Sequence, residues 1–201
     1  MIKSIIFDLG NVLIFFDWKI AERKLNQIQE NAGNLCTKLL KTNRDLIFSL
    51  ETGRISEKEF LNVIKKKIQL EISDEILALI FSDIFWENTE LVEKLSILKN
   101  SKKLYLLSNT NFIHRKYGWG KYGFLRLFDK LFLSYELGYV KPSKEIYNLV
   151  SNEIKMKPSE ILYIDDISEY TESAKELGWN VINFKSNQDL FLKLRDFGIE
   201  L

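Results

Sequence analysis

The sequence predicts an α/β fold, a parallel sheet carrying a helical insert, and three observations lead there. Short apolar runs recur along the chain, each stopping at a polar turn that helical periodicity then follows. Between the first of these runs and the next lies a stretch of about 95 residues, far more than the roughly 12 that a single crossover requires. Hydrophobic residues make up 46% of the chain against 28% charged, with 14 Phe, 8 Tyr and 4 Trp, so an extensive core is available and disorder is excluded. At 201 residues the chain suits one large domain, or a core with a smaller insert, and not a multidomain array.

Taken in order, residues 5–7 form the first run and end in Asp8-Leu9-Gly10-Asn11, the pattern of a buried strand stopping at a tight turn. Residues 104–107 end in Ser108-Asn109-Thr110, residues 130–133 end near Ser134, residues 161–164 end in Asp165-Asp166, and residues 181–184 make a fifth strand. Continuous apolar strands alternating with helices indicate a parallel sheet covered on both faces. Within the long insert, Ser56-Glu57-Lys58-Glu59 fits a capping box, after which Phe60, Val63 and Ile64 recur at helical spacing. Leu77, Leu79, Ile80, Ile84 and Phe85 suggest a further apolar helix face. The expected division is a core of residues 1–15 and 91–201 with a helical cap at 16–90.

Lys and Arg number 29 against 28 Asp and Glu, so the whole-chain field gives no drive toward nucleic acid or an anionic membrane. Phosphate recognition would have to be local. Cys36 is the only cysteine, which excludes an intrachain disulfide framework and a thiolate zinc cluster. That usage suits a reducing compartment, and a soluble, cytoplasmic protein is expected. Asp8 interrupts the amino-terminal apolar run before a signal-peptide core is complete. The apolar stretch at 12–16 is far below the roughly 20 residues that span a bilayer.

In parallel sheets ligands collect beyond the carboxyl ends of the strands, so the polar residues there are the candidates. Asp8 is a possible nucleophile, Ser108 a hydroxyl donor, Lys141 an ammonium group, and Asp165-Asp166 an acidic pair whose mutual repulsion calls for a cation. Each of these has an ordinary structural alternative: a turn cap for Asp8, a helix cap for Ser108, a solvated loop lysine for Lys141. Together they form a complete set for phosphoryl transfer. Asp8 would attack phosphorus to give an aspartyl-phosphate that water hydrolyses, while Ser108 and Lys141 donate to the equatorial oxygens. Mg²⁺ held by Asp8, Asp165 and Asp166 would screen the meeting of two anions.

With these residues in view, the sequence resembles the haloacid dehalogenase superfamily over nearly its whole length. The motifs are Phe7-Asp8-Leu9-Gly10-Asn11-Val12, Leu107-Ser108-Asn109-Thr110, Gly138-Tyr139-Val140-Lys141-Pro142 and Ile164-Asp165-Asp166, in that order. Glu51-Thr52-Gly53-Arg54-Ile55-Ser56 and the segment from Ser108 through His114 look most like bacterial sugar-phosphate phosphatases of the glucose-1-phosphate type. The resemblance implies a Rossmann-like core, a helical cap between the first two motifs, and Mg²⁺-dependent hydrolysis of a small phosphate monoester. It also implies phosphate binding by Ser108, Asn109 and Lys141, and metal binding by Asp8, Gly10, Asp165 and Asp166.

The pattern departs from the family at two points. Most family phosphatases carry an acid–base aspartate two residues after the nucleophile, where this chain has Gly10, which offers only its carbonyl to a metal. Losing a positioned acid costs about 10²–10⁴ in rate, so good leaving groups such as sugar 1-phosphates or aryl phosphates are favoured. Asp17 and His114 are the candidate replacements, against readings as a helix cap and a surface or hydrogen-bonded ring. Tyr170 stands where the resembled phosphatases commonly have asparagine. Phe15, Phe16, Trp18, Phe85, Trp86 and Trp119 are expected to serve packing before sugar stacking, and nothing in the spacing of Arg23, Arg54 or Arg115 marks a phosphate contact. Two other functions compete: a metal-independent haloacid dehalogenase, which the paired aspartates argue against, and a non-catalytic phosphate-binding module.

Overall fold

The computed structural model describes residues Met1–Leu201. Its centre is a five-stranded parallel sheet in which β1 (Ser4–Phe7) lies between β4 (Lys103–Ser108) and β6 (Ile161–Asp165), with β5 (Lys130–Leu133) and β7 (Asn180–Asn183) at the edges. All four residues of β1 are buried, as a strand covered on both faces requires. Alternate side chains feed two separate cores. Ile5, Phe7, Leu104, Leu106, Leu162 and Ile164 pack on one face, and Ile6, Tyr105, Leu107, Ile161 and Tyr163 on the other.

The insert holds five helices: α1 (Trp18–Ile28), α2 (Ala32–Thr42), α3 (Arg44–Glu51), α4 (Glu57–Ile68) and α5 (Asp74–Ser82). α4 begins with the capping box read from the sequence: the Glu59 N–H donates to Ser56 Oγ at 3.2 Å and the Ser56 N–H to Glu59 Oε2 at 2.8 Å. Leu25, Phe60, Leu61, Ile64, Leu77 and Phe81 form the cap's own core, to which Ile113 from outside the insert is added. Two short strands, β2 (Ile14–Phe16) and β3 (Phe85–Glu87), pair antiparallel where the chain enters and leaves the cap. This ribbon corrects the reading of Phe85 as part of a helix face. α5 stops at Ser82, and Phe85 instead pairs with Phe16 across about 70 residues of sequence, a partner no local periodicity could reveal.

The chain returns to the core through α6 (Thr89–Val92) and α7 (Leu95–Lys99), then α8 (Ser134–Leu137) after β5, α9 (Lys144–Ile154), α10 (Ser168–Glu176) and α11 (Asn187–Asp196). No helix is long and apolar enough to cross a membrane.

Candidate active site

Sheet register builds the site. Phe7 is level with Leu106 on one neighbour and with Ile164 on the other, so the next residue of each strand, Asp8, Leu107 and Asp165, sits in one row at the carboxyl edge. Lys141 arrives from the loop after α8 and is buried among them. Its Nζ donates to Asp8 Oδ1 at 2.8 Å, to Asp165 Oδ2 at 2.6 Å and to the Leu107 carbonyl at 3.3 Å. Two aromatic rings flank the ammonium, Tyr170 at 5.0 Å and Tyr163 at 5.8 Å from their centroids. Carboxylate oxygens of Asp8, Asp165 and Asp166 lie within 4.8 Å of one another.

These charges are buried, so each one's proton affinity depends on the others. Burial pushes Asp8 up to about 7, with Lys141 pulling down and Asp165 pushing further up. Burial by itself would lower the Lys141 pKa, but Asp8 and Asp165 outweigh it and raise it, so the ammonium is fixed. Asp166, half-buried, is raised by desolvation and by Asp165, with the amide of Asn11 acting against both.

The three carboxylates differ in how their oxygens are used. Asp165 Oδ2 accepts from Lys141 and from the Tyr163 hydroxyl, while Oδ1 accepts the Ile167 N–H at 2.8 Å. Asp166 accepts from one side chain, the Asn11 amide at 3.2 Å, which leaves it the freer oxygen donor. The Ser108 hydroxyl is buried with a single long contact of 3.5 Å to the Asn109 carbonyl, so it is free to donate to a ligand. Three clustered hard-oxygen donors beside an ammonium fit a small divalent cation and a phosphate together.

Other expected residues take different places. Asn109, expected on the phosphate, spends its amide on the backbone of Lys141: Oδ1 accepts the N–H at 2.8 Å and Nδ2 donates to the carbonyl at 3.0 Å. Its side chain therefore holds Lys141 in position. Gly10 lies against an aromatic ring, and a Cβ there would stand 3.2 Å from Phe16 Cε1, so a side chain at this position would crowd that ring. Asp17 caps α1 by accepting the Lys19 N–H at 2.9 Å. Arg115 stacks on Trp119, Arg54 on Phe48, and Arg23 donates to the Lys19 carbonyl.

His114 sits in an aromatic box, with Phe81, Phe85 and Trp18 rings 4.7, 5.1 and 5.5 Å away, and its Nδ1 meets the Asn111 amide at 3.1 Å. Burial depresses its pKa to about 3, so near neutrality it holds no acidic proton to give. A stability effect follows. The unfolded chain binds a proton near 6.5 that the folded chain refuses down to about 3, so stability falls as pH drops through that window, by about 1.4 kcal/mol per unit. In urea titrations from pH 6.5 to 4, the gap between wild type and His114→Leu should narrow at about that rate. Parallel curves would contradict it.

Three supporting residues had no role assigned from sequence. Tyr163, two positions before Asp165 on β6 and so on the same face, hydrogen-bonds that carboxylate, a relation the period of two made readable. Asn11 supports Asp166, and Asn183 Nδ2 donates to the carbonyls of Asp165 and Asp166 at 3.2 and 3.0 Å.

Comparison with known proteins adds to this geometry. The family model described as haloacid dehalogenase-like hydrolase matches residues 2–178. The D-ribitol-5-phosphate phosphatase of Bacteroides thetaiotaomicron is 31% identical over 198 residues, covering 94% of this chain and 95% of that one. The crystal structure of a HAD family enzyme from Bacteroides thetaiotaomicron superposes with a TM-score of 0.85 at 28% identity, covering 96% of this chain and 98% of that one. The same enzyme in complex with magnesium and inorganic phosphate gives a TM-score of 0.78 at 28% identity, over 93% and 96%.

Proposed function

This chain belongs to the haloacid dehalogenase-like hydrolase family, and on that premise we propose that it is a Mg²⁺-dependent phosphatase of a small phosphate monoester, a sugar or polyol phosphate, working through an aspartyl-phosphate at Asp8. The observation that carries the reading is the Lys141 ammonium wedged between two buried carboxylates at one sheet edge, with the loosely held Ser108 hydroxyl on the residue after Leu107, whose carbonyl the ammonium also meets. A relative that acts on D-ribitol-5-phosphate and a solved homologue with magnesium and phosphate support the substrate class and the metal.

Asp8 Oδ1 is held by Lys141, which fixes the carboxylate for attack along one line. Lys141 and Ser108 donate to the phosphoryl oxygens as charge spreads over them. Asp165, expected from the sequence on the metal, has both oxygens engaged and in this reading acts instead through Lys141 by holding the ammonium in place. Asp8, Asp166 and the Gly10 carbonyl would hold magnesium, which supplies the positive charge that lets a carboxylate meet a phosphate dianion.

The test is phosphate release from a panel of sugar and polyol phosphates with magnesium, repeated in EDTA. Release should stop on chelation and return with added magnesium. Halide release from a haloacid that persists in EDTA would replace this reading with dehalogenation. Tight beryllofluoride binding without turnover of any ester would replace it with a binding module.

A further inference from the structure

One carboxyl group of the cap reaches the site and is left unused by the mechanism above. Glu51 closes α3, is half-buried, and has no hydrogen-bond donor or ion-pair partner on the protein; the one charge that reaches it is that of Lys141. The backbone that follows pins it there. Thr52 is buried and its hydroxyl bonds back to the Phe48 carbonyl at 2.7 Å. Gly53 then turns at φ +67° so close to the core that a Cβ would stand 2.3 Å from the Tyr135 carbonyl oxygen. That contact lies on α8, the helix that leads into the Lys141 loop. The Tyr170 ring, which covers the Lys141 ammonium at 5.0 Å from its centroid, carries a hydroxyl whose pKa burial raises and the Glu51 charge also raises. Glu51 therefore lies on the cap side of the carboxyl edge, within reach of the Lys141 charge.

We propose that Glu51 is the acid–base residue for the leaving group, protonating the ester oxygen of an aliphatic, hydroxyl-bearing phosphate such as a polyol or sugar phosphate. The inference rests on the phosphatase reading. As Asp8 forms its bond to phosphorus, the bond from phosphorus to the ester oxygen breaks, its electron pair stays on that oxygen, and the Glu51 proton completes the alcohol. Water then attacks the aspartyl-phosphate and gives its proton to the Glu51 carboxylate, while the electron pair of the broken bond returns to Asp8. Both groups end as they began.

The other candidates are occupied: Asp17 caps a helix, Asp165 is bound by three donors, and His114 is neutral. Burial also pushes Glu51 up to about 7, Lys141 opposing, which leaves a protonated fraction near neutral pH.

The experiment compares wild type and Glu51→Gln on p-nitrophenyl phosphate, whose leaving phenolate needs little protonation, and on D-ribitol 5-phosphate, whose alkoxide does. The variant should lose about 10²–10⁴ in kcat on the polyol ester and less than about tenfold on the aryl ester. Equal losses on both substrates, or none on either, would overturn the assignment. Glu51→Asp, which shortens the reach but keeps an acid, should recover part of the polyol rate, and it carries the same comparison if the glutamine variant folds poorly. A wild-type chain silent on both esters would instead remove the phosphatase reading beneath it.

Discussion

Lys141→Met is expected to remove about 3–5 kcal/mol of folding stability, because it strands two buried carboxylates that now share one cation. On the proposed mechanism the same change takes away a donor to the phosphoryl oxygens, and turnover should fall by at least about 10²–10³. The stability loss carries a pH signature. With Lys141 gone, burial and Asp165 push Asp8 still higher, so its folded-state pKa stands further above the unfolded value near 3.8. A group so shifted holds its proton more tightly when folded, and its destabilising effect grows as pH rises above about 4. Urea denaturation in EDTA should therefore show a deficit near pH 7.5 that shrinks near pH 4.5. Adding Asp8→Asn to the variant should return part of the deficit, since one stranded charge disappears. A loss that ignores pH and is simply additive with Asp8→Asn would mean the three groups are not coupled.

Asp8→Asn should abolish turnover, with a loss on the order of 10⁶, the scale seen when a covalent nucleophile is removed. Stability should change far less. The introduced amide keeps an oxygen that can accept from Lys141, and Lys141 remains paired with Asp165. Circular dichroism and thermal melting should match wild type closely while phosphate release disappears. Retained turnover in a folded variant would reject covalent catalysis at this residue.

The sheet and the row of polar residues at its carboxyl edge were legible because both depend on local pattern. A three-residue apolar run ending in Asp8, and a four-residue one ending in Asp165, announce strands buried on both faces, and parallel register then brings their ends into one row. The cap ribbon was hidden because Ile14–Phe16 is only three residues long and pairs with a segment on the far side of the insert. Asn109 could be placed beside the site but its task could not, since an amide that binds phosphate and one that clamps a backbone read the same. The burial of His114 depends on Trp18 and Phe81 from the cap and Phe85 from the ribbon, three residues distant in sequence. Glu51 belongs with that group. The segment Glu51 to Ser56 carries part of the family resemblance, but no task for the carboxylate is readable there, and only the seating of Gly53 on Tyr135 brings it toward Lys141.

The central claim is a two-step displacement through Asp8, and the stereochemical course at phosphorus tests it most directly. Each in-line displacement inverts the phosphorus centre, so an isotopically chiral phosphorothioate ester hydrolysed by this protein in water of the remaining oxygen isotope should yield inorganic thiophosphate of retained configuration. Net inversion would mean that water attacks the ester in a single step, and Asp8 would then have no covalent role.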